Sequence, residues 1–136
     1  MILCIDDDRD VLNLLEKILS GMDHTIISCI TGEQGLIAAR RDQPDLILLD
    51  IMMPDMNGYE VIERLKADER FCRIPVIFLS ALHDSENIVK GFKMGASDYV
   101  SKPFNHEELI TRVAHHMFIA EAQRVIVRQN EELQET

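Results

Sequence analysis

The chain has no tryptophan, and two tyrosines and five phenylalanines make up its aromatic complement. Long apolar stretches are also missing. The longest runs, such as Leu46–Leu49 and Val76–Leu79, are of strand length and far short of a membrane span. Cysteine is scarce: Cys4, Cys29 and Cys72 are an odd number without paired spacing, which argues against a disulfide framework and for reduced thiols in a cytoplasmic protein. A secretory leader is not expected, because Met1–Ile5 meets Asp6–Asp8 before any basic or long apolar segment develops. Positive charge is in short supply too, with 14 basic against 24 acidic residues and a net charge of −10. Such a surface repels phosphate backbones, so no direct nucleic-acid binding is expected of this chain, and no membrane association. What remains, 46% hydrophobic and 28% charged over 136 residues, suits one globular domain burying roughly two thirds of its unfolded surface.

Within that composition, short apolar runs alternate with helical patterns five times. The runs are Ile2–Ile5, Thr25–Ile30, Leu46–Leu49, Val76–Leu79 and Tyr99–Val100. Most lack a polar alternation, as expected of strands buried on both faces of a parallel sheet. Between them, Val11, Leu12, Leu14, Leu15, Ile18 and Leu19 fall at helical spacing, with Gly21 as the expected stop. Thr31 is placed to cap a second helix that Pro44 ends, and Asn57 a third carrying Val61, Ile62 and Leu65. A fourth runs from Asp84 or Ser85 to Gly95. Asn105 opens a fifth, with Glu108 completing a capping box. Five strand–helix repeats imply a doubly wound α/β domain whose working crevice lies beyond the carboxyl ends of the strands.

Those ends read Asp6-Asp7-Asp8, Ile30-Thr31, Asp50, Ser80 and Lys102. Carboxylates brought together at one sheet edge repel one another unless a cation joins them, and an all-oxygen site favours magnesium or manganese. Asp50, at the end of a separate buried strand, then qualifies as a nucleophile toward phosphorus. Lys102 would supply a fixed cation and Ser80 a hydroxyl.

Four segments carry a resemblance. Ile2–Asp8, Leu48–Gly58, Pro75–Ala81 and Gly95–Phe104 closely resemble the response-regulator receiver family, in order, over residues 1 to about 118. The resemblance implies a flavodoxin-like five-stranded parallel sheet of order 2-1-3-4-5 with five helices, the last extended. It implies that Asp50 accepts a phosphoryl group from the phosphohistidine of a sensor histidine kinase or phosphotransfer protein, and that the domain is no enzyme beyond its own phosphorylation and dephosphorylation. By the same resemblance, Asp6 and Asp7 hold magnesium (manganese as a substitute), completed by Asp50 and the Met52 backbone carbonyl. Lys102 pairs with the phosphoryl group, and Ser80 and Tyr99 form a switch pair. The switch acts on the face built from the fourth helix, fifth strand and fifth helix, and so on an output domain or partner. Asp8 receives no metal role, the Lys102–Pro103 bond is expected to be cis, and Gly58 to serve a tight backbone path. Met52 and Leu82 stand where family members tune water access.

Past residue 118 the helical pattern continues with no Gly or Pro through Leu133. Ile119, Ile126 and Leu133 are spaced by heptads, with Ala122 and Gln129 between them and Arg124, Arg128, Glu131 and Glu132 available as flanking charges. The expectation is a receiver domain over 1–118 and a helical extension over 119–136, a coiled-coil linker or dimer seam. His115 and His116 lack a kinase-like setting and read as partly exposed helix residues. A dehalogenase-type phosphatase built on Asp6 and Asp8 fails because Asp10 stands where Thr or Val belongs. A flavin module fails on the acidic first loop, and a calcium loop at Asp55–Gly58 fails because Arg64 occupies the position of its Glu.

Overall fold

The computed structural model describes the backbone of residues 1–81 and 85–135, with side chains except at 85, 127 and 130–135. Five parallel strands, β1 (Ile2–Ile5), β2 (Ile26–Cys29), β3 (Leu46–Asp50), β4 (Val76–Ser80) and β5 (Asp98–Ser101), form one sheet in the order β2-β1-β3-β4-β5. The helices are α1 (Arg9–Leu19), α2 (Gly32–Asp42), α3 (Gly58–Ala67), α4 (Ser85–Lys93) and α5 (His106–Glu135). The fold class and strand order expected from the sequence are those observed.

Every residue of β1, β3 and β4 is buried, as a sheet covered on both faces requires. Alternate residues serve opposite layers. Leu3, Ile5, Ile47 and Leu49 pack with Leu36 of α2 and Val61, Ile62 and Leu65 of α3. Ile2, Cys4, Leu46 and Leu48 pack with Leu12 and Leu15 of α1 and Leu109 and Val113 of α5. Gly91 lies against the Phe78 ring, which sets α4 on the α2–α3 side.

The helix starts follow their capping residues. Thr31 accepts from the Gln34 amide at 3.0 Å, Asn57 from Glu60 at 3.0 Å and Asn105 from Glu108 at 3.0 Å. The box at Asn105 is only half made, because the Glu108 carboxylate accepts from Arg112 Nε at 3.1 Å instead. Gly21 does not supply the left-handed stop for α1. The chain makes a 3-10 turn over Ser20–Met22 first, and Asp23 takes the positive φ of 59°. Likewise Gln43, at φ 48°, ends α2 one residue before Pro44. Gly95, at φ 108°, follows α4 as expected, whereas Asp84 and Leu82 lie outside the described residues.

At about 1.5 Å per residue the 30-residue α5 is far longer than the sheet is tall. It starts at the carboxyl edge, descends along the sheet through Leu109 and Val113, and continues beyond the amino edge, where Arg124 meets Asp45 at 2.9 Å. Ile119 and Ile126 remain exposed on a different face of the helix from Val113 and Ala120.

Candidate functional site at the carboxyl edge of the sheet

Parallel register carries three strand ends to one edge. Asp50 closes β3 opposite Leu79, Ser80 closes β4 opposite Ser101, and Asp6 follows Ile5 at the end of β1. Asp6 and Asp50 are buried while Asp7 is exposed, and one carboxylate oxygen from each lies within 4.8 Å of the others. Asp8 is spent elsewhere: its side chain caps α1, accepting from the Asp10 amide at 2.9 Å. Its own amide donates to Asp6 Oδ1 at 2.9 Å and so fixes that carboxylate.

Lys102, just after β5, is anchored by its amide on the Ser80 carbonyl at 2.9 Å, and the Lys102–Pro103 peptide is cis. Its ammonium donates to Asp6 Oδ2 at 2.8 Å and lies 3.5 Å from Asp50 Oδ1. The Met52 amide also donates to Asp50 Oδ1, at 3.3 Å, while the Met52 side chain stands out into solvent at 64% exposure. Gly58 holds the other side of the loop. Its amide donates to the Ile51 carbonyl at 2.9 Å, and a Cβ there would fall 2.6 Å from the Asp50 carbonyl oxygen. Only glycine admits so close a backbone.

The electrostatics follow from burial. Desolvation, and next the charge of Asp6, push the Asp50 carboxyl up to about 7, against the downward pull of Lys102 and the Met52 amide. For Lys102, burial disfavours the charge, but the carboxylates of Asp6 and Asp50 hold its ammonium above the ordinary value. Three carboxylates thus face one ammonium. An oxygen-only donor set with that excess of negative charge fits a hard divalent cation such as magnesium.

Ser80 is buried at the same edge. Tyr99 pairs in register with Phe78, its ring packs into the α2–α3 layer, and its buried hydroxyl has no hydrogen-bond partner among the described residues.

A sequence model of the response regulator receiver domain matches residues 2–114. The chain belongs to the response-regulator receiver family. The RpaA master transcriptional regulator of Synechocystis is 41% identical over 112 residues, covering 82% of this chain and 46% of that protein. The DNA-binding response regulator MtrA of Mycolicibacterium smegmatis is 42% identical over 114 residues, covering 82% of this chain and 48% of its own. A hybrid signal transduction histidine kinase of Dictyostelium discoideum is 34% identical over 139 residues, 99% of this chain but 9% of that protein. The receiver thus spans less than half the length of each of these relatives. Among solved structures, a receiver domain of a LuxO-type repressor from Vibrio parahaemolyticus superposes with a TM-score of 0.87 at 26% identity, covering 92% of this chain and 95% of that one. A response regulator from Chloroflexus aurantiacus gives 0.82 at 31%, covering 85% and 95%. The receiver is therefore a signalling domain of the two-component type, and among its described residues no helix is long and apolar enough to cross a membrane.

One charged cluster escaped the sequence reading. Asp98 of β5 takes Arg112 Nη1 at 2.7 and 2.9 Å and His116 Nε2 at 3.0 Å. Burial works against its ionisation, but Arg112, the Tyr99 amide and His116 hold the Asp98 carboxyl below its ordinary value. His116 is thereby packed against the β5 edge, while His115 is exposed. The only local signal was Glu108 four residues before Arg112.

Proposed function

We propose that the receiver accepts a phosphoryl group on Asp50 from the phosphohistidine of a sensor histidine kinase or phosphotransfer protein. The observation that carries this reading is the meeting of Asp6, Asp7, Asp50 and Lys102 from three strand ends. An Asp50 carboxylate oxygen attacks phosphorus, the phosphorus–nitrogen bond of the donor breaks, and the imidazole leaves. Asp6, Asp7, Asp50 and the Met52 backbone carbonyl would hold magnesium, with manganese as a substitute. Bound there, the ion supplies neutralisation of the charge on the phosphoryl oxygens.

The side chains of this chain do the rest. Burial, the Met52 amide and the Lys102 ammonium keep the Asp50 carboxylate in one position, so little reorganisation is needed for attack. Lys102, already 3.5 Å from Asp50, follows the incoming charge and pairs with a phosphoryl oxygen. The Ser80 hydroxyl donates to a second oxygen, and Tyr99, the other half of the switch pair, tracks it from the neighbouring strand. Beyond its own aspartyl phosphorylation and dephosphorylation the domain catalyses no reaction.

The signal leaves by α4, β5 and α5 and controls an output domain or a partner. Residues 1–118 form the receiver and 119–136 the extension. Exposed Val89 and Phe92 on α4, and Ile119 and Ile126 on α5, offer two apolar surfaces for a homodimer. Leu133, the last residue of that seam, lies outside the described side chains.

An acyl-phosphate donor with magnesium should label the wild-type chain on an acid-stable, base-labile bond, and should fail to label Asp50→Asn. Labelling of that variant would place the acceptor elsewhere. Light scattering with magnesium and beryllofluoride reads the dimer. A mass that doubles in wild type but not in Asp50→Asn makes phosphorylation the trigger, and a constant dimer makes α5 a permanent coupling.

A further inference from the structure

At the amino edge of the sheet, remote from Asp50, a cleft of about 370 Å³ opens between the descending α5 and the loops that enter β3 and β4. Four arginines line it: Arg70 and Arg73 from the loop before β4, and Arg124 and Arg128 from α5. In a chain of net charge −10 this is a local inversion of sign. Two of the four are partly spoken for. Arg70 pairs with Asp68 at 2.8 Å, and Arg124 pairs with Asp45 at 2.9 Å and Glu121 at 3.2 Å. Asp45 is the one carboxylate among the described residues of the wall, and it also takes the amino-terminal ammonium. Arg73 and Arg128 have no ion-pair partner among the described residues, and arginines outnumber carboxylates among the described residues that line the cavity.

Between the guanidinium groups the wall is apolar, formed by Ile74, Pro75 and Ala120. Guanidinium forks match phosphate oxygens two at a time, and their planes stack on flat rings. The volume falls at the lower end of the range for small-ligand sites. We infer that this cleft binds a phosphate-bearing anion of nucleotide size, its phosphates on Arg73 and Arg128 and its less polar part on the Ile74–Pro75 wall. Because the arginines come half from α5 and half from the domain floor, such a ligand ties the helical extension to the receiver. Its position then becomes sensitive to a second input, independent of Asp50.

Calorimetric titration of the whole chain with ADP, and separately with pyrophosphate, in magnesium-free buffer containing a chelator tests this. Asp50→Asn is included so that any binding at the carboxyl edge is recognised. Binding that persists in Asp50→Asn, weakens as salt rises, and falls roughly 100-fold in the Arg73→Gln/Arg128→Gln double variant supports the site. Tighter binding of ADP than of pyrophosphate assigns it to nucleotides, and equal binding assigns it to phosphate alone. Bound ligand should also slow tryptic cleavage after Arg128 in wild type. Both replaced side chains are exposed, so the variant keeps its fold. No heat with either probe, or equal affinity in the double variant, overturns the proposal.

Discussion

The two ends of the sheet handle charge in opposite ways. At the carboxyl edge, Asp6 and Asp50 are buried, crowded, and matched by a single ammonium. At the amino edge, four arginines are spread around an open cleft in water, with Asp45, Asp68 and Glu121 against them. Like charges kept close in a low dielectric store free energy that a ligand or a proton can release. Like charges kept apart in solvent store little and act by attraction at a distance. The first end is built for chemistry, the second for capture.

The largest expected effect tests the stored energy directly. Burial, and next the charge of Asp6, push the Asp50 carboxyl from the ordinary 3.8 up to about 7, so its protonated form is favoured by folding. That stabilisation is fully present below the unfolded value and is lost as pH rises through 7. In metal-free buffer, stability from urea titration should fall by about 2–4 kcal/mol between pH 4 and pH 8. Asp50→Asn should flatten that slope and be the more stable protein at pH 8. An unchanged slope would mean that the carboxylates are not in conflict. Asp98, held below its ordinary value, acts in the opposite sense, but only as pH falls below about 4.

Gly58→Ala comes next. Its Cβ would sit 2.6 Å from the Asp50 carbonyl oxygen and 2.8 Å from Ile51 Cα, both backbone, so the loop must move. A loss of about 3 kcal/mol is expected, together with slower labelling of Asp50. Stability lost without any change in labelling would separate the loop from the chemistry.

Helix α5 joins the two edges, and paired truncations along it sharpen the contrast. Val113→Ala, in a fully buried position, should cost about 2 kcal/mol. Val125→Ala, at 42% exposure, should change monomer stability by no more than about 0.5 kcal/mol. A large cost at Val125 would mean that a second copy covers it. The smallest effect belongs to the amino edge. Asp45→Asn removes the half-exposed partner of the amino terminus and Arg124, and should cost under about 1 kcal/mol, less at high salt.

Much of this was legible along the chain. Buried strands announce themselves as unbroken aliphatic runs, and Thr31, Asn57 and Asn105 cap helices through contacts three residues away, which depend on little else. The strand-end residues could be gathered because parallel strands with helical crossovers all finish on one side. Elements closed by tertiary packing read less well. Gly21 looked like a stop, yet the chain turned further and used Asp23, because the connection into β2 set the path rather than the residue with the freest backbone. The partners of Asp98 lie 14 and 18 residues away and meet it only because α5 docks beside β5.

By itself, then, the amino-acid sequence determined the five strands, their cover of helices and the acidic strand ends, because periodicity, capping and strand termination are local and cumulative. Tertiary structure alone decided which charges share a dielectric. It buried Asp6 and Asp50 against Lys102, turned the Tyr99 ring inward, and drew arginines from residues 70, 73, 124 and 128 around one cleft. Coulombic energy depends on distance and burial, and neither is written in the spacing of residues along the chain.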